Sequence, residues 1–125
     1  MTPHTNSTPP VDDIRELLDT IADDLRVQLR HWLALSALVR CPVLLTPKTR
    51  LEAFSLAKEA IGILRAMLAV SKEAISNFER HHYDRCSRSL DRLESLGDTL
   101  ENIGQSVSRV LLFSYLTRRQ NGHRD

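Results

Sequence analysis

Two cysteines and five histidines are the side chains of this chain with the most chemical reach, and their spacing limits what they can do. His82 and Cys86 stand four apart, one helical turn, with His81 adjacent, so a helix there would offer a metal ion two or three ligands. A closed zinc site wants four, and no other His or Cys is expected nearby. The trio therefore reads as turn residues, and neither a metal nor a cofactor is expected. Cys41 falls at the opposite end of an up-down layout, which argues against an intramolecular disulfide. There is no nucleophile elbow, phosphate loop, CxxC pair, HExxH helix or dinucleotide fingerprint. A non-enzymatic role is the first expectation.

Arg26 and His31 are separated by four residues, as are Arg118 and His123. This R-x4-H spacing resembles the signature of HEPN-type helical ribonucleases. The resemblance covers no other part of the chain, and it implies an arginine that stabilises a phosphate and a histidine that handles a proton. A nucleic-acid-binding or HEPN-like RNA-cleaving bundle is accordingly the second functional expectation.

At 125 residues the chain suits one domain with a core of its own. The hydrophobic fraction is 42% and the charged fraction 26%, with few β-branched runs, which favours an all-α fold. A net charge of +1 excludes a global field for polyanions, so any electrostatic argument must be local. Arginine outnumbers lysine 14 to 3, which would suit bidentate contacts but is expected first of a GC-rich, bacterial genome. The opening MTPHTNSTPP lacks the basic and apolar regions of a signal peptide, so a cytoplasmic location is expected. Residues 32–45, WLALSALVRCPVLL, are interrupted by Arg40 and Pro42 and fall short of the roughly 20 residues of a membrane span.

Three helices must position these residues. Residues 1–8 have no apolar anchor and read as a disordered tail. Thr8 before Pro9 and Pro10 is an N-cap pattern, and Ile14, Leu17, Leu18, Ile21, Leu25, Leu29, Trp32, Leu33 and Val39 recur at three and four residues. This predicts a helix over about 9–40, ended by Pro42. Thr46-Pro47 repeats the signal for a helix over about 47–80. Its two apolar lines, through Phe54, Ile61 and Leu68 and through Ala60, Met67 and Ala74, span about 160°, so it should touch two neighbours. Residues 80–86, RHHYDRC, hold no Gly or Pro, but a turn there with Asp84 as N-cap leaves a third helix over about 84–118 and a loose C-terminus over 120–125. The result is an antiparallel up-down bundle, a single domain over 9–119.

Gly97 and Gly104 interrupt the third helix in composition. Gly97 followed by Asp98 and Glu101 could end one helix and cap a fourth. Against that, the lines Leu93, Leu100, Val107 and Leu96, Ile103, Val110 run straight through. The preferred reading is a continuous helix in which both glycines allow close approach of a neighbouring helix or a second subunit.

The layout also sorts the charges. At one end Asp12, Asp13, Glu16, Asp19, Asp23 and Asp24 should face Arg80, His81, His82, Arg85, Arg88 and Arg92. The other end should be basic and rich in apolar text, including LLFSYL at 111–116. Apolar surface rimmed by arginine suits a protein partner. The expected function is a helical interaction module, an adaptor, inhibitor or accessory factor. It would act through Arg40, Lys48, Arg50, Leu112, Tyr115, Arg118 and Arg119, and would be open to homodimer formation.

Overall fold

Thr46 sets the start of the central rod: its backbone is extended and its hydroxyl accepts the Thr49 N–H at 3.3 Å, with Pro47 supplying the first turn. In the computed structural model, which describes residues 11–42 and 45–124 and side chains as far as Thr117, the chain forms three helices. They are α1 (Val11–Val39), α2 (Pro47–Glu79) and α3 (Tyr83–Arg124). The fold is an all-helical three-helix bundle, with α2 packed against both α1 and α3. The tail at 1–8 and the Thr8 cap lie outside the described residues. The third helix continues to Arg124, so residues 120–124, expected to be loose, are helical.

The α2–α3 turn explains why the sequence left that boundary faint. It closes with His81 at φ 63°, a left-handed conformation usually given to glycine. His82 N–H donates to the Asn77 carbonyl at 2.8 Å and His81 N–H to the Phe78 carbonyl at 3.1 Å, the two bonds of a Schellman end. The His81 ring nitrogen meets the Tyr83 hydroxyl at 2.8 Å. These contacts offset a backbone cost of about 1–2 kcal/mol for a residue with a Cβ. Asp84 stands inside the first turn of α3 rather than capping it.

The core is built on α2. Ala60, Leu64, Met67 and Val70 meet Leu25 of α1 and Leu93, Leu100, Ile103 and Val107 of α3, while Leu18, Ala74, Phe78 and Cys86 pack near the α2–α3 turn. No Cα of α1 comes within 8 Å of a Cα of α3 among the described residues. The two outer helices splay apart, leaving a cleft between them.

α3 runs unbroken through Gly97, which removes the four-helix alternative. The glycines, however, do not mark a close approach of helices within the chain. A Cβ at Gly97 would lie 3.7 Å from Met67 Cε, and one at Gly104 would lie 4.0 Å from Trp32 Cζ2. Both are ordinary contacts with side-chain ends. The small residues with no exposure at all sit instead on α2: Ala53, Ala57, Ala60 and Ala74 are each 0% exposed. α2 has neighbours on two sides and needs small residues against them, whereas the glycines of α3 face the open cleft. Gly97→Ala and Gly104→Ala are therefore expected to stabilise the monomer by about 0.5–1 kcal/mol each, because the helix gains propensity without a clash. Denaturation midpoints measured at high dilution check this; a loss of stability in either variant would mean the helices pack more closely than described.

Candidate functional site

Hydrophobic side chains left in water are the most informative chemistry of this surface. The sequence expected one basic, apolar pole, and the structure divides it. Arg40, just past α1, places its guanidinium over the Phe54 ring at 5.3 Å, where Lys58 also approaches at 5.8 Å. Arg40 is thus engaged within the chain. Arg50 is half-buried in the first turn of α2, its N–H bonded to the Thr46 carbonyl at 2.8 Å. Leu112 and Tyr115 are exposed on α3, on the flank that turns toward α1, since Tyr115 lies two turns beyond Ser108 in the cleft wall. The side chains of Arg118 and Arg119 lie outside the described residues.

Lys48 belongs to a different neighbourhood. With Leu51, Glu52, Ser55 and Leu56 of α2 and Ser106, Arg109 and Val110 of α3 it lines a groove of about 630 Å³, continued by a smaller one of about 360 Å³ that reaches Phe113. Leu51 is 71% exposed and Phe113 is 73% exposed. Sequence reasoning missed Leu51, Arg109 and Phe113 as a set, because they come from two helices and only the α2–α3 packing brings them together. The exposed position of Phe113 had a faint signal: at 100° per residue it falls about 60° outside the apolar lines of α3, beyond Val110.

At the opposite end the expected pairing of α1 acids with α2 and α3 bases is not what forms. Arg15 of α1 pairs with Glu79 of α2, and Arg92 of α3 reaches Glu73 of α2 at 3.4 Å. The Glu79 contact chiefly holds the Arg15 guanidinium further toward its charged form. Asp19 and Asp23 serve Arg15 and Arg26 of their own helix, at 3.3 and 2.7 Å. The reason is positional: α2 is the neighbour of both outer helices, so the acids of α1 do not meet α3. Arg80, Arg85, Arg88 and Arg92 consequently line a groove of about 490 Å³ with Ser76, Asn77 and Ser89, in which Glu73 is the one acid.

The metal-ligating trio is separated. The His81 ring turns to Tyr83, His82 is exposed, and Cys86 is buried beside Leu18, Ala74 and Phe78. Among the described residues no three of His, Cys, Asp and Glu gather as a metal ion would require. Arg26 and His31 are both exposed, and Arg26 is tied to Asp23. The side chain of His123 lies outside the described residues.

Burial pushes the Cys86 thiol above its ordinary value near pH 9. Above that pH the unfolded chain loses the proton while the folded one keeps it, so stability is whole below about pH 9 and falls as pH rises toward the ionisation of Cys86 itself. Cys86→Ala should flatten the decline in melting temperature above about pH 9; an unchanged slope there would contradict it. Half-buried Cys41 should alkylate before Cys86, by about ten-fold or more in rate.

Among the described residues no helix is long and apolar enough to cross a membrane. Compared with protein-family models, with curated proteins and with solved structures, the chain gives no match.

Proposed function

We propose that this chain is a non-enzymatic helical interaction module, and that its partner surface is the groove between the start of α2 and the second half of α3. One observation carries the reading: Leu51 and Phe113, two large apolar side chains, stand more than 70% exposed beside a groove rimmed by Lys48 and Arg109. Apolar anchors beside cations suit an amphipathic segment of another protein with an acidic edge. Arg40 and Arg50 then act as structural supports of the same end, and Leu112 and Tyr115 belong to a separate face. An adaptor, inhibitor or accessory factor would work through such a surface.

The experiment is affinity capture from native extract with the full chain, the Leu51→Asp/Phe113→Asp double variant, and Arg26→Ala as a remote control. A protein retained by the wild type and by Arg26→Ala, and lost with the double variant, supports the reading. Equal retention by all three sinks it.

A second reading rests on the groove of Arg80, Arg85, Arg88 and Arg92. Its cationic lining suits nucleic-acid phosphates. Single-stranded RNA binding that falls steeply between about 50 and 200 mM salt, and weakens in Arg85→Ala and Arg88→Ala, would place this reading first.

A further inference from the structure

The cleft between α1 and α3 is left unused by either reading. It has a volume of about 980 Å³, and Trp32, Leu35, Met67, Leu100 and Leu111 give it apolar walls. Its origin is the splay of the outer helices, bridged near Gly104 by the Trp32 ring. The apolar strip extends at both ends. Leu17 shares a helical face with Gln28 and Leu35, and Tyr115 shares one with Ser108; they are 60% and 59% exposed. A helix laid along this cleft would cover the strip.

The charges on α3 say which helix fits. Glu101, Gln105 and Arg109 follow one another at four-residue spacing, so they form one ridge, and all three line the cleft. Asp84, Asp91, Glu94, Asp98 and Glu101 precede Gln105, and no acid follows it within α3. Glu101 joins no ion pair among the described residues, and Arg109 donates to Ser106 rather than to an acid. A second α3 laid antiparallel with Gln105 over Gln105 sets Glu101 of each copy opposite Arg109 of the other. A parallel copy would oppose like charges.

We propose that the α1/α3 cleft is filled by α3 of a second copy of this chain, antiparallel about a two-fold axis at Gln105, so that α1 and α3 of both copies form a four-helix layer. Such an isologous interface uses each contact twice, and the low profile of Gly104 and Ser108 lets the two α3 helices approach. The surface is distinct from the Leu51/Phe113 groove, with Arg109 on the ridge between them. Glu101 and Gln105 belong to the cleft alone, so failure of one proposal does not imply failure of the other.

Sedimentation equilibrium of the full chain over a range of concentrations tests it. The wild type should dimerise, and Glu101→Arg and Arg109→Glu should each weaken the dimer by about ten-fold or more, while the two together restore it. In a Cys41→Ser background, Gln105→Cys should cross-link to its own copy with a short bismaleimide. Asp98→Cys should not, because the two copies of that position would be about 21 Å apart along the axis at 1.5 Å per residue. All four positions are exposed, and far-UV circular dichroism checks that each variant folds. The proposal is overturned by a wild type that stays monomeric up to about 1 mM, whether or not it takes up a foreign helix. It is also overturned by a dimer indifferent to either reversal, by a double reversal that fails to restore, or by cross-linking at position 98 instead of 105.

Discussion

Leu64→Ala will lower the stability of the folded chain by about 2–5 kcal/mol, the range for deleting a buried leucine and leaving a cavity. Leu64 is 0% exposed in the middle of α2 and belongs to the cluster that joins all three helices. Three carbons removed there leave a void that cannot collapse from one side only, since α1 and α3 both press on α2. The matched control is Leu51→Ala, at a position 71% exposed, which should change stability by less than about 0.5 kcal/mol. Urea denaturation at a concentration where the protein is monomeric measures both. Equal effects would mean that the core does not run through α2.

Ala60→Leu should destabilise by about 1–3 kcal/mol from the opposite cause, because the added methylenes enter a space already filled. Ala60 is 0% exposed and lies in the same core cluster. A larger side chain there must push α3 or α1 outward, and the strain is shared by contacts along the rod. The contrast with the glycines makes the test specific: enlarging a small residue on α2 should cost stability, and enlarging Gly97 or Gly104 on α3 should add some. If Ala60→Leu is neutral, α2 is more loosely enclosed than its burial implies.

Much of this fold was legible before any coordinates. The three-four repeats located three rods within a few residues of α1, α2 and the start of α3, and Thr46-Pro47 marked a real cap. The double apolar line on the second helix announced its two neighbours. Less was legible at the α2–α3 turn, where His81 takes the left-handed conformation without the glycine that would signal it. The candidate surface was legible as composition, a basic and apolar end. The groove proposed as the partner surface was not, since Leu51 and Phe113 are far apart in sequence and come to adjoining grooves only through helix packing.

By itself the sequence determined the helical class, favoured a continuous α3 through Gly97 and marked most of the core, because each depends on propensity, capping and periodicity within a few turns of chain; Leu17 and Leu33, on the predicted apolar face of the first helix, are exposed. Distances between helices are not encoded in that periodicity. Tertiary structure alone decided that α2 stands between the outer helices, so that Arg15 meets Glu79 and four arginines line a groove in which Glu73 is the one acid. It also decided that the close-packed small residues are the alanines of α2, while Gly97 and Gly104 border an open cleft. The physical reason is the same in each case: a heptad records which face of a helix is buried, whereas the splay of α1 and α3 depends on side-chain volumes summed over all three helices at once.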